Sequence, residues 1–201
     1  MTQFDYRKFE RLEFLALNNA MRLHDDSIRM FRQKRYPTTF QLSVLAQEEF
    51  GKVLIIEDVV WNWRFNKMTN EWTQKWFDAT REHKFKQAKI LRDSKFPDPE
   101  AIKLIQKILN GKLEKDKQAA TYTGLQDNKI KGGIVNPLKV SRKKALYQIS
   151  KLNGDVLFIA DRIKKGGWEL DSEIVLKHFK KSIYAKLVRR KQKITKFEHA
   201  R

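Results

Sequence analysis

The segment Phe40–Trp61 places charged side chains where a buried helix should be apolar. Residues three and four apart share a helix face, so Glu49 falls in one apolar stripe, and Glu48 and Lys52 fall in its neighbour. The stripes are Leu42, Ala46, Glu49, Val53, Ile56 and Val60, and Gln41, Leu45, Glu48, Lys52, Ile55 and Val59. A buried carboxylate needs a partner because its desolvation is costly. The spacing predicts a Glu48–Lys52 ion pair, which leaves Glu49 unexplained.

A second segment, residues 71–93, has a similar polar break. Read as one helix, it carries a stripe of Trp72, Trp76, Ala79, His83, Lys86 and Ile90. We therefore expect one shared cluster formed by Glu48, Glu49, Lys52, His83 and Lys86. Three interpretations are open: a structural network that sets how two helices meet, a reactive or ligand-binding site, and a solvated face. Gly51 is unfavourable inside a helix, so we expect another backbone or a bulky ring close to it.

Composition limits the kinds of site that the chain can build. Its 201 residues are enough for one domain with a core, and the absence of cysteine excludes disulfides and cysteine-based zinc sites. No apolar signal segment follows Met1, and apolar runs such as Val53–Ile56 are far too short to span a bilayer. We expect a cytoplasmic protein with no membrane partner.

The net charge of +19 by itself favours an anionic partner, which leaves RNA or a ribosome, DNA, an acidic protein and a membrane surface open. Residues 181–201 contain eight Lys or Arg residues and one acidic residue. We predict a helical domain over residues 1–180 and a basic helix or tail over 181–201. This tail is either a nucleic-acid contact or a solubilising extension. The predicted contact residues are Lys181, Lys186, Arg189, Arg190, Lys191 and Lys193.

Apolar periodicity predicts an all-α protein, an antiparallel helical bundle. The expected helices cover about residues 6–33, 38–65, 71–93, 98–110 and 140–166, and another begins near residue 171. Residues 112–139 are polar and rich in turn signals, and they predict a long loop.

The sequence contains none of the common nucleotide-binding or hydrolase motifs. A metal site would use His83 with Glu48 or Glu49, but the clustered lysines compete for the same carboxylates, so we expect no metal and no cofactor. His24 is followed directly by two aspartates, and we interpret it as a surface residue.

The run Glu48-Glu49-Phe50-Gly51-Lys52, followed by His83-Lys84-Phe85-Lys86, resembles the AbiV family of bacterial abortive-infection proteins. In that family a Glu-Glu-x-Gly-Lys helix precedes a His-x-x-Lys helix. Tyr122 and Pro137 are similar, more loosely, to the later tyrosine and proline of the family. The resemblance covers about residues 10–165.

The resemblance implies a HEPN-like helical bundle that acts in phage resistance. Such a protein stays dormant, meets a phage-encoded component, and then halts a host process. HEPN relatives commonly form homodimers, and many are ribonucleases with an Arg-x4–6-His motif. None of the four histidines has an arginine at that spacing, which leaves enzymatic activity open. The alternatives are a divergent ribonuclease and an accessory module that binds nucleic acid.

Overall fold

Helices account for most of the computed structural model, which describes residues 6–64, 69–95, 99–125 and 133–164. The helices are α1 (Tyr6–Arg32), α2 (Tyr36–Arg64), α3 (Asn70–Ala79), α4 (His83–Lys95), α5 (Pro99–Leu109), α6 (Lys112–Ala119) and α7 (Arg142–Lys164). Two antiparallel strands of two residues each, β1 (Gly124–Leu125) and β2 (Ile134–Val135), precede a short 3-10 helix, Pro137–Lys139. The prediction of an all-α bundle is confirmed.

Helix α2 lies at the centre of the described fold, in contact with α1, α3, α4 and α6. Because neighbours surround it, apolar residues are needed on all of its sides and not on a single stripe. Its most deeply buried apolar residues are Val44, Ala46, Phe50, Val53, Leu54, Ile55, Ile56, Val59 and Val60. Glu48 and Glu57, both on this helix, therefore lie in the core.

A tight turn joins α1 to α2. Helix α1 ends at Arg32, and Lys34 adopts a positive φ of 62° before α2 begins at Tyr36. The predicted start of the second helix, at Thr38 or Thr39, was two to three residues late. Proline has no N–H and fits the first turn of a helix, so Pro37 lies inside α2 instead of preceding it.

The prediction of one helix over residues 71–93 is wrong. Helix α3 ends at Ala79, and a turn over residues 80–82 separates it from α4. In this turn the amides of Thr80, Arg81 and Glu82 donate to the carbonyls three residues before them, at 3.0, 2.9 and 3.2 Å. Helical bonding resumes when the Lys86 amide donates to Glu82. His83 is therefore the first residue of α4, while Lys86 lies one turn later.

The prediction of a long loop over residues 112–139 is wrong for its first part, which forms the helix α6. Its one large apolar residue, Leu113, packs against two core clusters and so fixes the helix to the fold. One cluster contains Phe40, Val44 and Ala120, and the other contains Ala88, Leu91 and Ile108. Gly111 precedes α6 with a φ of 83°, a conformation that glycine adopts without strain.

The chain forms two compact units, residues 1–149 and residues 150–201. In the second unit the description ends at Lys164, with the last residue of α7. The helix predicted to begin near residue 171 and the domain boundary at 180/181 lie outside the described residues. So do the six predicted contact residues Lys181, Lys186, Arg189, Arg190, Lys191 and Lys193. Those assignments stay predictions.

Among the described helices, none combines the length and the apolar character that crossing a membrane requires.

Candidate functional site

The buried carboxylate of Glu48, on α2, is the centre of a polar network. Its Oε2 lies 2.7 Å from Nδ1 of His83, at the start of α4. Its Oε1 accepts hydrogen bonds from Nε2 of Gln87, on α4, and from Nζ of Lys117, on α6, both at 2.8 Å. A carboxylate only accepts, so Nδ1 of His83 carries the hydrogen in its pair with Glu48. Three side chains from two helices, α4 and α6, therefore converge on one buried anion of α2.

Helix α6 supplies a second carboxylate. Oε2 of Glu114 lies 2.8 Å from Nζ of Lys117 and accepts a bond of 3.1 Å from Gln87. Burial would raise the pKa of Glu114, but the hydrogen bond and charge of Lys117, with contributions from His83 and Gln87, lower it. For Lys117, burial would lower the pKa, but the bonds and charges of Glu114 and Glu48 raise it. Both groups are therefore held in their charged forms.

We call Glu48, His83, Gln87, Glu114 and Lys117 the Glu48 network. A row of buried amides extends it. Nε2 of Gln47 donates to the backbone carbonyl of Gln87 at 2.6 Å, and Nε2 of Gln148, on α7, donates to Oε1 of Gln47 at 2.8 Å. These bonds fix α2 against α4 and hold the Gln87 backbone beside Glu48.

The ion pair predicted between Glu48 and Lys52 is wrong. Nζ of Lys52 instead lies 2.7 Å from Oε1 of Glu49, three residues earlier on α2. Glu48 and Lys52 are four residues apart on one helix, as the prediction assumed. However, His83, Gln87 and Lys117 already bind the Glu48 carboxylate. Glu49, which the sequence left unexplained, is the partner of Lys52.

Lys86 is buried next to these charges. Burial lowers the pKa of Lys86; the charges of Glu48 and Glu49 oppose this shift, and those of Lys52 and Lys117 add to it. The structure thus brings together the five predicted residues Glu48, Glu49, Lys52, His83 and Lys86. It adds Gln87, Glu114 and Lys117, which the sequence analysis missed.

The side chain of His83 is 54% exposed, while that of Glu48 is 4% exposed. A buried carboxylate that holds one imidazole nitrogen orients the ring and leaves the other nitrogen for a proton transfer or a ligand. The site can therefore present an oriented imidazole at the surface. In the same region, ligand atoms of Glu48, His83 and Glu114 all lie within 4.8 Å of one another, as in a metal site. However, the ammonium of Lys117 already bridges the two carboxylates.

His24 was interpreted as a surface residue, and this is wrong. Its side chain is fully buried, while Asp25 and Asp26 are only partly buried. Consecutive helical residues point about 100° apart, so two acidic neighbours do not place a histidine outside the core.

Comparison with known proteins identifies one family. A family model described as AbiV, of the HEPN type, matches residues 9–157, which include the whole Glu48 network. No curated protein and no solved structure gives a match. A match over most of the chain supports a role in abortive infection, a form of defence against phage.

Proposed function

Because the chain belongs to the AbiV family, we propose that it is an effector that stays dormant until it meets a phage-encoded protein. Once activated, it blocks a host process that the phage needs, and translation or another RNA-dependent step is the process that we favour. The family match over residues 9–157 carries this proposal. The net charge of +19 supports an RNA or ribosome target, because such a charge attracts polyanions.

In this proposal the Glu48 network is a recognition site and not a catalytic one. Both oxygens of Glu48 already have partners within the protein. The groups that reach the surface beside it are the imidazole of His83 and the Glu49–Lys52 pair, whose side chains are 16% and 23% exposed. These groups offer an oriented polar surface on a rigid base, which suits contact with a protein partner.

The active form is a homodimer in the cytoplasm. Large exposed apolar side chains on neighbouring helices support pairing, because contiguous exposed apolar surface marks interaction sites. Trp61 and Trp72 are 48% and 57% exposed, on α2 and α3.

The contact between Glu48 and His83 favours a second candidate, a divergent ribonuclease. The exposed imidazole would act as general acid or base, and Lys52 or Lys86 would stabilise charge on the phosphate. No histidine of the sequence has an arginine at the spacing of the usual Arg-x4–6-His motif, so this site would differ from the common HEPN site.

Affinity purification from infected and uninfected cells tests the first candidate. We expect a phage-encoded protein to be retained only after infection. Expression of that protein together with this chain, without phage, should stop incorporation of labelled amino acids. Protection from phage without capture of a phage protein, and with host translation intact, would contradict the proposal.

The variants His83→Ala and Glu49→Gln separate the two candidates. If the chain is a ribonuclease, purified His83→Ala loses RNA cleavage while it keeps its melting transition. If the chain acts by binding, neither the wild type nor the variant cleaves RNA, and the variants weaken capture of the phage protein. Loss of the melting transition in both variants would show that His83 and Glu49 have only a structural role.

A further inference from the structure

Six basic residues from three elements lie at one corner of the first unit, and we call them the basic corner. They come from the end of α1 and the turn after it, from the 3-10 helix, and from the start of α7. The six are Arg32, Lys34, Arg35, Lys139, Arg142 and Lys143, and all are exposed.

Contacts between aromatic rings and basic groups bring these elements together. The guanidinium of Arg142 lies 5.5 Å from the ring centre of Phe31, and the ammonium of Lys144 lies 4.8 Å from that of Phe40. The ring of Phe31 also packs 5.6 Å from that of Tyr36, across the turn. The start of α7 is therefore fixed against the α1–α2 turn.

The corner has a large excess of positive charge. Residues 27–47 and 133–149 contain no aspartate or glutamate. Two acids near these ranges are already paired: Asp26 with Arg22 and Arg29, and Asp116 with Lys112 and Lys144. Within the described residues, none of the six basic side chains forms an ion pair with an acid.

We propose that the basic corner binds the phosphodiester backbone of RNA. Unpaired cations on a fixed surface release counterions when they bind phosphates, and arginine matches the geometry of a phosphate. Tyr147 is 55% exposed and lies one helical turn after Lys143, where a base can stack on its ring. The six residues offer charge, which suits a phosphate backbone better than the charge-depleted core of a protein interface. The inference rests on the proposed function, because it names the surface that meets the RNA-dependent process.

Two triple variants of the full chain test this surface. The first carries Arg32→Gln, Arg35→Gln and Lys143→Gln. The matched control carries Lys75→Gln, Lys103→Gln and Lys107→Gln, three exposed lysines of α3 and α5. Each variant loses three positive charges, so the net charge and the C-terminal residues are the same in both. Binding is measured by fluorescence anisotropy with a labelled single-stranded RNA, across a series of salt concentrations, on proteins with wild-type melting transitions.

We expect the corner variant to bind RNA at least about ten-fold more weakly than the control. The slope of log affinity against log salt should fall by about 2, since each lost contact with single-stranded nucleic acid contributes about 0.7. Equal weakening of RNA binding in both variants would show that only net charge matters, and would overturn the proposal. Unchanged RNA binding in the corner variant would also overturn it. Loss of phage-protein capture with unchanged RNA binding would assign the corner to a protein partner. A wild-type chain that binds RNA through this corner but gives no protection contradicts the proposed function alone.

Discussion

The backbone carbonyl of Lys86 lies directly against Gly51, so α4 crosses α2 at a point where no side chain fits. A Cβ atom on residue 51 would lie 2.7 Å from the carbonyl carbon of Lys86 and nearer still to its oxygen. Of the two neighbours that the sequence predicted for Gly51, a backbone or a ring, the structure has the backbone. This close approach is what lets Glu48 reach His83 and Gln87 on the facing helix.

Gly51→Ala should destabilise the fold. A methyl group there collides with backbone, which cannot rotate away, and overpacking of this kind costs about 1–3 kcal/mol. This should exceed the gain of about 1 kcal/mol from higher helix propensity. Gly154→Ala, on α7, is the control, since an added Cβ meets nothing within 4 Å and the propensity gain should appear alone. Urea unfolding measures both; equal stabilisation by the two variants would disprove the close approach.

Glu48→Gln should destabilise the protein by about 3 kcal/mol, because it leaves the ammonium of Lys117 with one carboxylate instead of two. Lys117→Met should cost a similar amount by leaving Glu48 and Glu114 without their shared cation. The double variant should cost less than the sum by about 0.5–3 kcal/mol, since the two groups interact directly. A double-mutant cycle by chemical unfolding gives this coupling. Simple additivity would mean that the Glu48–Lys117 bond contributes nothing to stability.

Glu13 should make the stability depend on pH. Burial, with a smaller contribution from Glu10, raises the pKa of Glu13 from 4.5 to about 8. Between these values the folded chain holds a proton that the unfolded chain loses, so the free energy of unfolding falls as pH rises. The full loss is on the order of 5 kcal/mol at 1.36 kcal/mol per pKa unit. Glu13→Gln should remove this fall and stabilise the protein above pH 8, as followed by thermal unfolding across that range. A wild-type stability that does not fall between pH 5 and 8 would contradict the prediction.

That Glu48 needs partners could be predicted because it interrupts an apolar stripe of α2, and burial forces a carboxylate to find partners. His83 was assigned to it through a stripe over residues 71–93 that the structure divides between two helices, so the partner was right although the stripe was not. The break between α3 and α4 could not be predicted, because neither glycine nor proline marks residues 80–82. The turn exists because α3 and α4 pack separately on α2, which is tertiary information. Local propensity gives no signal for it.

Lys117 and Glu114 were missed because residues 112–118 contain a single large apolar residue, Leu113. A helix with one large apolar residue, which is stabilised mainly by contacts with neighbouring helices, shows no apolar periodicity in its sequence. A weaker signal was present in charge spacing: Lys112 and Asp116 pair at i,i+4, and Glu114 and Lys117 pair at i,i+3. Such pairs are common on helices and would have favoured a helix over a loop.

Removal of residues 181–201 should weaken RNA binding by the full chain at least about ten-fold, because it deletes eight basic residues and one acidic residue. The corner variant combined with this deletion should bind RNA more weakly than either change alone. Anisotropy with the same labelled RNA measures all three proteins. Binding unchanged by the deletion would show that these residues are not a nucleic-acid contact, and would leave the basic corner as the surface to test.

Lys86→Met should raise stability and lower phage protection. The side chain of Lys86 is buried, and burial lowers the pKa of its ammonium despite the charges of Glu48 and Glu49. Replacement of this buried ammonium by an apolar side chain of similar volume removes its desolvation cost, here about 1–2 kcal/mol. Groups with perturbed pKa values cluster at functional sites, so the loss of this one should reduce protection. Chemical unfolding measures the stability, and phage plating efficiency measures protection. A variant that is both more stable and fully protective would show that Lys86 has no part in the site.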